Sequence, residues 1–218
     1  MYHYPDQAYF GKPIRKATIY RYSGVTHKTK QLITSQIEQI EWSYKLAPET
    51  INLPANSEIK EIQIITLWLK GRELHPSILT LLDHSIRFPI WFEVISNDRF
   101  RFVAAIKRQS EADFTQQVLS EHFHSDWIVE SQLRRQHLPT AINLEDLWTQ
   151  MLAPLLPLKC RSNESTWDWS KRCEKWKSFI REAEKLEKKL RKEKQFNRKV
   201  GLNQKLRAVR SQISQCQK

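Results

Sequence analysis

The 218-residue chain carries 36 Lys and Arg against 24 Asp and Glu, a formal net charge of +12, and 40% of its residues are hydrophobic, enough for a packed core. Its four glycines, Gly11, Gly24, Gly71 and Gly201, lie too far apart to build the phosphate-cradling loops of Walker or dinucleotide-binding type. Three cysteines, Cys160, Cys173 and Cys216, lack C-x-x-C spacing and support neither a disulfide framework nor a zinc ribbon, so a reducing cytoplasm is the expected setting. The polar N-terminus lacks the basic start and apolar stretch of a signal peptide. The longest apolar patch, Met151 to Leu158, falls well short of the ~20 residues that span a bilayer, and a soluble protein is expected.

The charge is not spread evenly. Residues 1–158 hold about 17 basic and about 17 acidic side chains, which leaves roughly +12 on residues 159–218. The sequence therefore reads as a neutral α+β body, 1–158, and a basic helical extension, 159–218.

In the body, Phe10 to Tyr22 reads as an irregular or edge segment. Lys28 to Ile37 places Leu32, Ile33 and Ile37 at helical spacing, and Ile40, Trp42, Tyr44 and Leu46 then alternate with polar residues, which predicts a short helix feeding a strand. Pro48 ends that strand and Asn52 to Ser57 turns the chain. Glu61 to Lys70 is apolar on both alternating faces, the signature of a central strand covered on both sides. His75 to Ile86 forms a helix with Ile78, Leu81, Leu82 and Ile86 on one stripe and Pro76 in its first turn. Phe88 to Ile95 and Arg99 to Lys107 flank Ser96-Asn97-Asp98 as a hairpin. Ser125 to Glu130 adds a short strand, and Leu144 to Leu156 a helix entered from Asn143. The sum is an α+β fold: a small mixed sheet with packed helices.

In the extension, Trp169, Cys173, Trp176, Ile180, Ala183, Glu187 and Leu190 make a heptad seam with one polar seat, and Leu202, Leu206, Val209, Ile213 and Cys216 resume it in a shifted frame. The shift falls at Gln195-Phe196-Asn197 and Gly201. A turn there folds the halves into an antiparallel coiled-coil hairpin, the favoured reading, whereas a stutter would leave one helix of ~50 residues and ~75 Å.

Four blocks, Trp42 to Leu53, Glu61 to Ile65, Phe88 to Phe92 and Lys192 to Asn203, resemble those of the bacterial DUF4391 family, and the resemblance runs from about Lys12 to about Gln212. Members tend to be encoded beside DNA methyltransferases and helicases of restriction and phage-defence loci. The resemblance thus implies a role near DNA, with protein partners of a methyltransferase- or helicase-type complex, but it transfers no catalytic residue. Gly201 stands where a helix-favouring residue is expected and speaks against an unbroken helix.

Three functional readings follow from the side chains. Arg172, Lys175, Lys177, Arg181, Lys188, Lys189, Arg191, Lys192, Lys194, Arg198 and Lys199 are dense enough to track a phosphate backbone, which makes nucleic acid, DNA by the family's company, the expected partner. A solvated coiled-coil face and an acidic protein partner are the competing explanations. The leading reading is a non-enzymatic accessory subunit without cofactor or metal. The enzyme reading is a nuclease in which Glu49, Glu61 and Gln63 hold Mg²⁺, with Lys45 or Lys107 as the nearby cation. The third is a dimerisation module in which the extension pairs two copies. Trp167, Trp169 and Trp176 interleave with Lys171, Arg172 and Lys175 as base-stacking candidates, but are expected to pack. His122, His124 and His137 are expected to be loop residues and not a metal cluster.

Overall fold

The computed structural model describes residues 2–21, 25–113 and 116–218. It divides into two compact units, 1–155 and 156–218. In chain order the first contains β1 (Tyr2–His3), β2 (Tyr9–Pro13), α1 (Lys16–Ile19), α2 (His27–Gln36), β3 (Ile37–Leu46), α3 (Pro48–Ile51), β4 (Ile62–Leu69), α4 (Pro76–Ser85), β5 (Ile90–Ser96), β6 (Arg99–Ala104), β7 (Lys107–Gln109), β8 (Gln117–Leu119), β9 (Phe123–His124), β10 (Ile128–Val129), β11 (Gln136–His137) and α5 (Leu144–Leu152). The second contains α6 (Thr166–Lys192) and α7 (Phe196–Gln217).

The main sheet runs β10-β6-β5-β4-β3-β2, with β9 also on β6. β4 and β5 are parallel, joined through α4, and their neighbours are antiparallel. The apolar run read as a central strand is β4, buried along almost its whole length. Ile65, Leu67 and Leu69 point toward one face with Phe92 and Val94, where Ile33 of α2 and Ile78, Leu79 and Leu82 of α4 close the main core. The opposite face of β5 presents Trp91 and Glu93. Trp91 stacks on Phe102 at 5.9 Å and meets Tyr2 at 5.8 Å.

Several expectations shift in detail. The edge segment is an edge strand, β2, followed by one helical turn, with Tyr22 outside the described residues. The β5–β6 hairpin closes through two residues, Asn97 and Asp98, because Ser96 pairs with Arg99, and Asn97 takes the left-handed φ of 53°. β6 stops at Ala104, and Lys107 starts a separate ribbon, β7–β8. The strand expected over 125–130 is only the two residues of β10, and α5 ends at Leu152, before Pro154. Among the described residues no helix is long and apolar enough to cross a membrane.

In the second unit the turn reading holds. Phe179, Ala183, Leu186 and Leu190 of α6 pack against Leu202, Leu206, Val209 and Ile213 of α7. Leu186, not Glu187, fills the seam, because side chains on a 3.6-residue repeat drift around the helix relative to a strict heptad. Glu187 sits at the seam's border, where its Oε1 accepts from Arg210 Nη2 across the helix pair at 2.8 Å. Gly201 lies inside α7 and does not break it.

Candidate functional site

The hairpin is built by local rules at both ends. Ser165 caps α6, its Oγ accepting from the Asp168 amide at 3.1 Å, and Asp168 places an acidic group in the first turn. At the far end only Glu193, Lys194 and Gln195 separate the helices. Glu193 Oε1 accepts from the amides of both following residues at 2.9 Å. Those amides, with the charges of Arg198 and Lys199, hold the Glu193 carboxyl below its ordinary range.

This fold-back gathers cations from both helices. Lys189 and Lys192 from α6 and Arg198 and Lys205 from α7 border one concavity with Glu193, Gly201 and Leu202, four cations against one carboxylate. Lys188, Arg191, Lys194 and Lys199, close to the turn in sequence, are exposed. No ion pair within 4 Å engages any of these eight cations among the described residues. Along α6, Arg181, Lys185, Lys188 and Lys192 recur at spacings that fall on one helical face. Lys175 is exposed and Lys177 half-buried. Arg181 Nε bonds the Lys177 carbonyl at 3.3 Å.

Arg172 does not belong with them. Its Nε and Nη2 donate to the two Glu164 oxygens at 2.6 Å, Nη2 also donates to the Lys159 carbonyl at 2.7 Å, and Nη1 donates to the Cys216 carbonyl at 2.8 Å. With its side chain 10% exposed, Arg172 ties the α6 start, the preceding loop and the α7 end together. The Glu164 carboxyl is held low by its bond to Arg172. Lys185 and Lys205, absent from the sequence-based set, belong to the basic surface. Lys205 joins it only because α7 folds back. The tryptophans are not free platforms: Trp169 is buried, its Nε1 donating to the Leu158 carbonyl at 2.8 Å, the Trp176 indole nitrogen is buried, and Lys171 Nζ sits 4.6 Å over the Trp167 ring.

A second constellation lies in the first unit. β3 and β4 pair so that Lys45 stands opposite Gln63. The Thr50 hydroxyl, donating to the Lys45 carbonyl at 2.7 Å and accepting from the Ala47 amide at 2.9 Å, folds α3 back beside the strand end. Lys45 Nζ then lies 2.6 Å from Glu49 Oε1 and 3.4 Å from Glu61 Oε2, and Gln63 Nε2 donates to Glu61 Oε1 at 2.6 Å. Glu61 is buried, not at an exposed strand start. Hydrogen bonding to Glu49 raises the Lys45 pKa, and the same bond lowers that of Glu49. The oxygen donors suit Mg²⁺ in kind, yet the Lys45 ammonium fills the gap between the two carboxylates, and Gln63 turns its NH₂, not its carbonyl, toward Glu61. As arranged, the residues form an ionic clamp, open to solvent on the Glu49 side, in which the ammonium stands where the ion would bind, so they do not fit it.

Lys107 lies elsewhere. Its Nζ donates to the Asp83 and Ile86 carbonyls at the end of α4, at 2.9 and 2.7 Å, and stands 3.1 Å from Asp83 Oδ1. Burial lowers its pKa against the opposing charge of Asp83. His122 Nε2 bonds Asp83 Oδ2 at 2.7 Å, while His124 sits in β9 and His137 in β11. Among the described residues no group of three or more His, Cys, Asp or Glu could hold a metal ion.

Fold and surface define an α+β domain followed in the chain by a helical hairpin whose turn is strongly basic. The chain belongs to the DUF4391 family, a domain of unknown function, whose model matches residues 3–213. No curated protein and no solved structure shows significant similarity to it.

Proposed function

We propose that the chain is a non-enzymatic accessory component of a DNA-processing or defence assembly that grips nucleic acid through the turn end of the α6–α7 hairpin, the first unit serving protein partners. The observation that carries this reading is the convergence of Lys189, Lys192, Arg198 and Lys205 from both helices on one concavity beside a three-residue turn, with four more exposed cations close by in sequence and none of the eight in an ion pair among the described residues. Like charges so placed repel one another and raise the local potential, and phosphate oxygens relieve both effects. The apolar seam is filled within the chain, so its residues are spent on the helix pair and the hairpin offers a partner mainly charge. Contacts of this kind read the backbone and not the bases, giving steep salt dependence and little sequence preference. Salt-titrated binding of duplex and single-stranded DNA tests it: no salt-sensitive retention of either overturns it.

A second reading, metal-dependent phosphodiester cleavage, draws support from the meeting of Lys45, Glu49, Glu61 and Gln63. It requires Lys45 to swing aside. Incubation of DNA with the protein and Mg²⁺ or Mn²⁺ is expected to leave the DNA intact; cleavage abolished by Glu61→Ala would install this reading instead.

A further inference from the structure

The hairpin turn carries an apolar feature that its charge does not explain. Phe196, the first residue of α7, is 77% exposed, and Val200, one turn on, is 40% exposed. Residues four apart share a helix face, so the two form a short apolar ridge. Lys192, Lys194, Arg198 and Lys199 surround it in sequence, all exposed. The hairpin core is complete without it, since the packed seam on α7 begins at Leu202.

An apolar protein surface laid on this ridge would strip water from the four cations without offering them counter-charge. A lipid interface is better matched by a longer apolar helix face than two residues supply. A nucleotide strand offers both halves of the complement at close spacing: phosphates for the cations and a flat π-face for the phenyl ring. In a duplex those faces are covered by neighbouring bases, so the ring gains nothing there without unstacking a step.

We infer that Phe196 is a stacking platform and that the hairpin's substrate class is unpaired, single-stranded nucleic acid in preference to continuous duplex. The inference rests on the reading of the hairpin as a nucleic-acid grip and specifies which form it takes. The cations supply binding to either form, whereas Phe196, backed by Val200, supplies the difference between them.

The test is fluorescence anisotropy of the full chain with a labelled single strand of about 20 nucleotides and a hairpin-capped duplex of the same sequence, at fixed salt, for wild type, Phe196→Ala and Phe196→Trp. One stacked base is worth about tenfold in affinity. Wild type is expected to prefer the single strand by about that factor, Phe196→Ala to lose the preference while keeping duplex binding, and Phe196→Trp to restore it. Equal single-strand binding by wild type and Phe196→Ala overturns the platform and leaves the phosphate grip standing. No salt-sensitive binding to either probe overturns the grip and this inference with it. Phe196-dependent binding to anionic vesicles with no single-strand preference assigns the ridge to a lipid surface and also overturns it. Circular dichroism of each variant checks that the hairpin is intact.

Discussion

Tyr4 and Glu93, 89 residues apart in sequence, share a buried hydrogen bond in which the tyrosine hydroxyl donates to Glu93 Oε1 at 2.8 Å. The bond ties the segment between β1 and β2 to a central strand, on the sheet face opposite α2 and α4. Tyr4 also packs on Tyr44, with ring centroids 4.6 Å apart. Burial pushes the Glu93 carboxyl up to about 7, against the lowering effects of the Tyr4 hydrogen bond and the Arg135 charge. Burial, with the Glu93 charge beside it, raises Tyr4 well above its ordinary value.

A pH dependence of stability follows. Between the ordinary value of 4.5 and about 7 the folded chain keeps the Glu93 proton that the unfolded chain releases. The folded state thus binds more protons across that window, and stability falls as pH rises through it, by on the order of 3 kcal/mol from this one group, and levels off above. Glu93→Gln keeps an acceptor for Tyr4 and removes the titration. Urea midpoints for wild type are expected to fall between pH 5 and pH 8, and those of Glu93→Gln to change much less; parallel curves for the two proteins would show that Glu93 does not set the trend.

Lys107 closes the end of α4 from the inside. Its side chain is 3% exposed and that of Asp83 is fully buried, so Lys107→Met, of similar shape, removes the donor to two helix-end carbonyls and leaves the Asp83 carboxylate facing His122 without the ammonium. Breaking a buried pair from one side costs about 3 to 5 kcal/mol. Chemical denaturation followed by the signal of the first unit is expected to register a loss of that size, and a change below about 1 kcal/mol would mean that the pair is solvated.

Arg172 predicts a localised effect in the second unit. Arg172→Ala strips Glu164 of its guanidinium partner, leaving it the Arg161 amide, and leaves the Cys216 carbonyl at the end of α7 to the longer bond from Arg161 Nη2 at 3.3 Å. Arg172→Lys should recover little, because one ammonium cannot reproduce a planar fork that spans two carboxylate oxygens and two carbonyls. Hydrogen exchange is expected to quicken in the last turns of α7 in both variants while the amides of β3, β4 and β5 keep wild-type protection. Protection unchanged in α7 would show that the clamp adds no stability.

Much of the fold is legible in local sequence pattern, and what is not depends on how distant segments meet. β4 announced itself because a central strand must be apolar on both faces, and α4 because Pro76 and its stripe fit a helix start. The β7–β8 ribbon was invisible, since three-residue strands such as Lys-Arg-Gln carry no period. The closeness of Lys45 to Glu49 is local, but the meeting of Lys45 with Glu61 depends on the β3–β4 register, and that register is shifted by an irregularity between Trp42 and Tyr44. The basic surface could be read as composition. Which cations belong to it could not, because Arg172 is withdrawn by Glu164 and by carbonyls from two other segments, and Lys205 is brought in by the fold-back. Tyr4 and Glu93 had no sequence signal at all: a buried Tyr–Glu bond is a property of two surfaces that meet.

The salt dependence of binding separates the hairpin grip from a merely solvated basic face. Each phosphate neutralised on duplex DNA contributes about 0.9 to the slope of log affinity against log salt concentration. Lys192, Arg198 and Lys199, none in an ion pair among the described residues, flank the turn from both helices, and all three are exposed, so removing them together should not disturb the seam of Leu186, Leu190, Leu202 and Leu206. The triple alanine variant is expected to bind duplex DNA with a slope shallower than wild type by about 3, and to bind more weakly at low salt across all sequences alike. Lys45→Ala, in the other unit, is expected to leave the slope unchanged. A triple variant with the wild-type slope would place the phosphate contacts away from the turn, and a slope altered by Lys45→Ala would bring the Glu49–Glu61 cluster into contact with the strand.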